Sequence, residues 1–538
     1  MVVVPPMSMT EHRGLDPRYS AVREAPSPAL WQSNGAGPPV PDGRPEPVLA
    51  MANIQGNIVA GFNKDFQTLL YFHIDDARQF KPAVAELGHR VATAAEVLAF
   101  NRLFKHVVNR RGYPGTLKST WMSVAFSFAG LAKLSKDAAL FADRSFQGGW
   151  VKRSTALDHS EGWKVEDGPG DNAADVLIIV AADTEDDVEA EVTRVKELVK
   201  KHGGSTLAGQ DEGRSRSDSL GGKSLRGHEH FGFLDGISQP GLRGRASEGP
   251  TDLLTPRQNP HNQSHGKPGQ ELIWPGEFVF GYPGQDGSRD GNERGGDSSI
   301  DGAGYPCVPK WAKDGSYLVF NRFKQDVYAF HQHLHAEGKK HSMSPTAVGA
   351  QLFGRWPSGA PIMRMPTKDD PDLAGNDCAN NHFGFKEATQ RVAGGLGNEC
   401  PRDDFRLAGA DPDGNVCPFT SHIRKVNPRD DVAAAVRRRH RLLRRGICFG
   451  EPSASTPDEP QEDKVGVERG LLFLAYMTSI ADQYEFIIDH WISNPDFLFR
   501  GIGHDAVLGQ QDKGWILPTG GGYYFTPSVS ALRRVLSK

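Results

Sequence analysis

A chain of 538 residues with 62 Lys and Arg against 66 Asp and Glu is close to neutral, at −4, which gives no support for a nucleic-acid binder or a polybasic membrane-surface protein. With 38% hydrophobic residues, 61 Gly and 37 Pro, it reads as a soluble globular protein of two or three structural units with long irregular connections. No apolar run approaches the roughly 18 residues of a membrane span. The five cysteines, Cys307, Cys378, Cys400, Cys417 and Cys448, are odd in number and widely spaced, so they suggest neither a CxxC metal framework nor a paired disulfide set. Together with a start that lacks a secretory signal, this makes the cytoplasm the expected compartment.

Residues 1–50 are rich in Pro, Ser and Gly and are expected to form a disordered tail. Order begins near Asn53-Ile54-Gln55-Gly56-Asn57-Ile58. Thr68 to Ile74 predicts a strand and Ala77 to Leu87 a helix. Trp121 to Phe128 predicts a second strand, with Val124, Phe126 and Phe128 on one face, and Leu131 to Phe141 a helix. Val176 to Val180 is a continuous apolar run of the kind buried on both faces. Thr184 then opens a helix with Val188, Val192, Val195 and Val199 on one stripe, which Gly203-Gly204 would end.

A long insertion follows, 243–312, in which only 271–284 (ELIWPGEFVFGYPG) looks ordered. Tyr317 to Phe320 predicts a strand and Lys324 to Glu337 a helix carrying Val327, Phe330 and Leu334. After an irregular stretch, 364–416, Leu471 to Tyr476 predicts a strand and Ala481 to Ile492 a helix. Strand–helix units in both halves imply an α+β protein built as two packed sandwiches, 51–242 and 313–538, separated by the insertion.

Two stretches carry chemistry. The first, GHEHFGFLDGISQPG (Gly227 to Gly241), sets one carboxylate, Asp235, behind an aromatic run and before Gly236, a position suited to the positive φ of a tight turn. Gly232 and Gly236 also leave room for another group to approach the backbone. The second, Cys417 to Arg429, has the form CPxxSHIRKxNPR and contains His422. Beyond it the basic run Arg437 to Arg445 reads by composition as a solvated helix face or a phosphate-contacting patch.

These motifs resemble those of the dye-decolorising peroxidases: the GxxDG signature at Gly232 to Gly236, the histidine motif around His422, and Leu442-Leu443-Arg444-Arg445-Gly446. The stretches at Asn53, at 271–284 and at Gly503 to Gln510 are also similar to that family. The resemblance implies two ferredoxin-like domains, with antiparallel sheets and packed helices, forming a dimeric-α+β-barrel-like unit that holds haem. It implies one haem b per chain on His422, with Asp235 as distal acid and base and Arg444 fixing peroxide, and Arg445 as the neighbour that could be confused with it. The expected activity is reduction of hydrogen peroxide through high-valent iron, at the expense of bulky aromatic electron donors such as dyes and phenolics. No nucleic-acid or membrane partner is expected. The alternative is a haem-handling protein with little turnover, which would share His422 but not need Asp235 with Arg444.

Asp482, Glu485 and Asp489 are candidate partners for the second nitrogen of His422. His331 and His335, four apart on a predicted helix, read as solvent-facing or as a metal pair. His228 and His230 line the approach to Asp235 or pack. The nine Trp and 11 Tyr offer surface radical sites.

Overall fold

The computed structural model describes residues 45–538 apart from 112–116, 156–163, 165–166, 168–173, 221, 258–264, 286–298, 301–307, 391–403 and 510–513. The expected tail therefore lies outside the described residues except for 45–50, where Leu49 is buried and Glu46 pairs with Arg243.

In the first half, strands β1 (Phe66–Ile74), β2 (Thr120–Ser127), β3 (Val176–Ala182) and β4 (Ser205–Arg214) form an antiparallel sheet in the order β2-β3-β1-β4. Helices Ala77–Arg90 and Glu185–His202 lie between β1 and β2 and between β3 and β4. The second half repeats the plan with β5 (Ser316–Gln325), β6 (Leu443–Arg444), β7 (Ile447–Phe449), β8 (Gly470–Met477) and β9 (Ile516–Thr526). Here β9 pairs with β5, β5 with β8, and both β6 and β7 run along β8. Each half is a β-α-β-β-α-β unit, β6 and β7 together filling one strand place beside β8, so the expected pair of ferredoxin-like sheets is present. Tyr524 and Phe525 of β9 pair with Ser127 and Phe126 of β2, and Phe449 of β7 pairs with Gly213 of β4, closing the two sheets into one barrel.

Residues alternate between two cores by the period of two. Leu70 and Phe72 join Val319 and the valines of helix Glu185–His202 in one core. Leu69 and Tyr71 join Leu318, Phe320 and Tyr524 in the other. Both cores draw on both halves, so neither half buries its sheet alone. Helix Glu185–His202 follows its predicted stripe, with Thr184 accepting from the Asp187 N–H and Gly203 at φ 76 ending it.

Three predicted elements shift. The helix expected from Lys324 starts at Val327, because β5 runs on to Gln325 and Asp326 supplies the N-cap. The helix expected over 131–141 is Phe128–Leu134 followed by a 3₁₀ turn, Lys136–Leu140, for which Ser135 is a fresh cap. The late helix is wound as π turns, Ile480–Glu485 and Ile487–Ile492. The cysteine reading is also corrected. Cys378 is disulfide-bonded, Cys417 and Cys448 are free and buried, and Cys307 and Cys400 lie outside the described residues. The cytoplasmic expectation loses the support it drew from unpaired thiols. No helix among the described residues is long and apolar enough to cross a membrane.

Candidate active site

The stretch from Gly227 to Gly241 leaves the first-half sheet and folds on itself. Glu229 sits at its centre, buried, accepting from the N–H groups of Phe231 and Phe233 (both 2.9 Å) and from Gln325 Nε2 (2.5 Å). The two aromatic rings anchor the loop to the second half, Phe231 stacking on Phe330 at 4.2 Å and Phe233 on Phe353 at 4.1 Å. Gly232 and Gly236 have φ of 99° and 83°, the left-handed region that favours glycine. The space beside both is open, since an added Cβ would meet no atom of the chain within 4 Å.

That turn delivers Asp235. Its Oδ1 accepts from Arg444 Nη1 at 2.7 Å and from the Gly236 N–H at 2.5 Å. Arg444 comes from β6, paired with Ala475 of β8. The two side chains are 43% and 29% exposed, so the pair stands at an open cleft rather than sealed in a core. Desolvation by the surrounding protein raises the Asp235 pKa, but the charge and hydrogen bond of Arg444, the Gly236 N–H and the nearby His422 outweigh it. The carboxyl is held below its usual value.

His422 opens the helix His422–Val426. Its Nδ1 lies 2.9 Å from Oδ2 of Asp505, a fully buried carboxylate that can only accept, so Nδ1 carries the hydrogen and Nε2 keeps its lone pair. The other oxygen of Asp505 accepts from the N–H groups of Val507 and Leu508, both at 2.8 Å, which fixes the carboxylate in turn. Burial lowers the His422 pKa, yet the charge and hydrogen bond of Asp505 leave it raised. Asp235 and Arg444 are close enough to His422 for each to act on its charge.

Three buried guanidiniums lie to one side, Arg355 and Arg441 near enough to Arg444 to feel its charge and Arg429 near those two. Arg355 donates to Gly359 O, Asn380 O, Ser238 Oγ and Asn381 Oδ1; Arg429 donates to Asn381 O, Asn381 Oδ1 and Phe383 O; Arg441 donates to Asn427 Oδ1. These partners are carbonyls, amides and a hydroxyl rather than carboxylates. Burial, followed by mutual repulsion, pulls Arg429 down to about 9; burial likewise takes Arg355 to about 9 and lowers Arg441. Arg429 also takes a strained φ of 44°. A cavity of about 330 Å³ opens beside Arg429 and Arg441, lined also by His265, Glu271, His382 and Arg437 but not by Asp235, Arg444 or His422.

The structure thus brings Asp235, Arg444 and His422 together, and separates Arg444 from Arg445. The Arg445 side chain is spent on the carbonyls of Asn57, Ile58 and Val59. The candidates for the His422 partner are corrected. Glu485 accepts from Ser145 and Tyr523, Asp489 pairs with Arg153, and Asp482 offers its main-chain oxygen to His440, whereas Asp505 meets His422. Asp505 stood in the stretch Gly503 to Gln510, and its one signal was a carboxylate set before the apolar run Ala506-Val507-Leu508.

The solvated reading of Arg437 to Arg445 fails as well. Arg437 and Arg438 hold buried Glu271, and His440 stacks on Phe486 at 3.6 Å. His331 is neither solvent-facing nor a ligand: it is buried, with Nδ1 at Ser455 Oγ (2.9 Å) and Nε2 at Phe231 O (3.1 Å), and no metal-binding cluster occurs among the described residues. His230 packs, its Nε2 2.8 Å from Phe449 O. Among the described tryptophans none is fully exposed.

Comparison with known proteins follows the same map. Residues 53–215 match the family model described as "DyP dimeric alpha+beta barrel domain", and 397–531 the model "Dyp-type peroxidase, C-terminal". The chain is 28% identical to the dye-decolorizing peroxidase AauDyP1 of Auricularia auricula-judae, over 97% of this chain and 96% of that one. An ancestral D-type dye-decolorizing peroxidase superposes with a TM-score of 0.68 at 27% identity, over 91% of this chain and 100% of that one. A partial match, 24% identical over 43% of this chain and 36% of the relative, is to a deferrochelatase of Yersinia pestis.

Proposed function

The chain belongs to the dye-decolorising peroxidase family, and we propose that it works as a haem peroxidase, reducing hydrogen peroxide with electrons drawn from bulky aromatic donors such as dyes and phenolics. The observation that carries the reading is the Asp235–Arg444 pair, 2.7 Å apart, close enough to act on the charge of a histidine whose Nε2 is available to bind a metal.

The residues present fit haem. His422 offers Nε2 with its tautomer fixed by Asp505, and the buried Arg355, Arg429 and Arg441, bonded to neutral partners, suit the carboxylates of a b-type haem, one per chain. Bound there, haem would supply the redox-active iron at which peroxide is reduced and through which single electrons are drawn from the donor. The protein's part is proton handling and charge. Asp235, ionised because Arg444 and Gly236 stabilise its anion, takes a proton from one peroxide oxygen and returns it to the other as the O–O bond breaks. Arg444 donates to the peroxide and offsets the negative charge that develops on the departing oxygen. Asp505 accepts from Nδ1–H throughout, making His422 a stronger electron donor.

The second reading, haem handling without turnover, draws on the partial deferrochelatase match. It has no use for Asp235 beside Arg444. One experiment separates them: haem-loaded protein is mixed with one equivalent of peroxide and the Soret band followed in wild type, Asp235→Asn and His422→Ala. A band that shifts within seconds in wild type, more slowly in Asp235→Asn, and from an altered starting spectrum in His422→Ala supports the peroxidase. A wild-type band that peroxide leaves unchanged replaces it with haem handling.

A further inference from the structure

Gln239 has no part in the chemistry above, yet its side chain crosses the joint between the halves. Its Oε1 accepts from the main-chain N–H of Arg444 at 3.3 Å and its Nε2 donates to the main-chain oxygen of Arg444 at 3.1 Å. A primary amide presents acceptor and donor side by side, as a peptide group of a neighbouring strand does. Gln239 therefore acts as one extra rung on the free edge of β6, a strand of two residues whose other edge is taken by β8. The same Arg444 oxygen also accepts from Arg445 Nη1 at 2.9 Å. On its own side Gln239 is held by Gln270, whose Nε2 donates to the Gln239 main-chain oxygen at 3.3 Å, and by Ser238, whose hydroxyl meets Arg355 and Asn381.

Asp235 and Arg444 lie in different halves of the chain, and their direct contact joins two partly exposed side chains. Such a pair is weak as a structural tie. It must also open if peroxide is to enter between the carboxylate and the guanidinium. Some other contact has to keep the two main chains in register while it is open, and the Gln239 amide bonds to Arg444 from four residues past Asp235.

We propose that Gln239 is a positioning residue for the peroxide step, holding the Arg444 main chain at the distance from Asp235 at which both side chains reach one peroxide molecule. This rests on the peroxidase reading and adds a residue to it. Gln239→Met keeps length and removes both hydrogen bonds; Gln239→Glu keeps the acceptor but turns a second oxygen toward the Arg444 carbonyl. In the haem-loaded full chain, each is expected to slow the reaction with peroxide by about tenfold to a hundredfold, as misplacement of a reacting group does. The ferric spectrum and the KM for the aromatic donor stay as in wild type. In an Asp235→Asn background the Gln239→Met change adds less than about twofold, because its effect passes through Asp235 and Arg444.

Amide hydrogen exchange in the haem-free chain gives a readout that needs no turnover: the Arg444 N–H exchanges faster in Gln239→Met than in wild type. Unchanged exchange at Arg444 overturns the proposal. So does a peroxide rate within twofold of wild type, or an equal slowing with and without the Asp235→Asn change. A wild-type chain inert to peroxide with faster Arg444 exchange in the variant sinks the peroxidase reading and, with it, the catalytic purpose proposed for the tie.

Discussion

Replacing Asp505 by Asn tests the support of His422 with the loss of one charge and one acceptor. Asp505 uses both oxygens: Oδ1 takes the N–H groups of Val507 and Leu508 at 2.8 Å, and Oδ2 takes Nδ1–H of His422 at 2.9 Å. Asparagine can keep the first role with its oxygen, which turns its NH₂ toward His422. The imidazole then has to accept at Nδ1 and carry its hydrogen on Nε2, the atom needed for iron. If the amide flips instead, the N–H groups of Val507, buried, and Leu508, half-buried, lose their partner. Either way haem affinity should fall about 10- to 100-fold, the usual cost of losing the partner behind a metal-bound histidine, which is about 1.4–2.7 kcal/mol. The assay is titration of the haem-free chain with haem, read at the Soret band, with Asp489→Asn as comparison because Asp489 faces Arg153 instead. Asp505→Asn binding haem within twofold of wild type, with the same spectrum, would refute the reasoning.

The acid limb of the peroxide reaction follows from Asp235. Its pKa lies below the usual 3.8, so the base stays ionised in mildly acidic solution and the rate should hold until the pH drops below that value. Arg444→Leu leaves burial to dominate and should move the limb to higher pH, whereas a rate climbing steadily from about pH 4 to 8 in wild type speaks against Asp235 as the base. Glu229 links pH to stability. Burial, the largest influence, lifts its carboxyl from 4.5 to about 7 in the folded chain, past the pull of its three donors. Between those values the folded state keeps a proton that the unfolded state releases, so this stabilisation is full below about pH 4.5 and fades as the pH rises through 7. The whole change is about 3 kcal/mol at about 1.36 kcal/mol per pH unit. In Glu229→Gln the urea midpoint should fall less between pH 5 and 7.5 than in wild type; parallel slopes would show that Glu229 does not titrate there.

How much of the fold the sequence shows depends on which strand is considered. β3 (Val176–Ala182) is buried on both faces and announces itself as an apolar run, and β5 and β8 do so nearly as well. β4 (Ser205–Arg214) does not, because it reads STLAGQDEGR and most of its residues keep some exposure. β9 is hidden by its glycines. A Cβ at Gly521 would come within 2.5 Å of the Trp150 ring, and one at Gly522 within 2.4 Å of Tyr524. Those positions are glycine because bulky rings fill the space a side chain would take, so a strand at the centre of the barrel closure carries a loop-like composition. The two-unit plan is legible from strand–helix alternation, while the complete four-strand topology of each half rests on the family resemblance.

The site divides in the same way. Asp235, His422 and Arg444 stand in motifs that can be found along the chain, and the structure places them together. The partner of His422 could not be found among the carboxylates of the late helix, because it stands 13 residues beyond that helix's end at Ile492. The late helix is wound as π turns. There Glu485 meets Tyr523 and Ser145, and Asp489 meets Arg153. Asp505 succeeds for a local reason: a buried carboxylate held by the N–H groups two and three residues on is fixed in direction and so can orient a histidine 83 residues away. The contacts that make the site span 83 residues for His422–Asp505, 205 for Gln239–Arg444 and 209 for Asp235–Arg444. The two longest join the halves and form only when the first-half loop docks on the second half, Phe231 on Phe330, Phe233 on Phe353 and Gln239 on Arg444 of β6. Variants that loosen this docking should therefore damage the peroxide-facing side first and leave His422 and Asp505, both within the second half, able to bind haem.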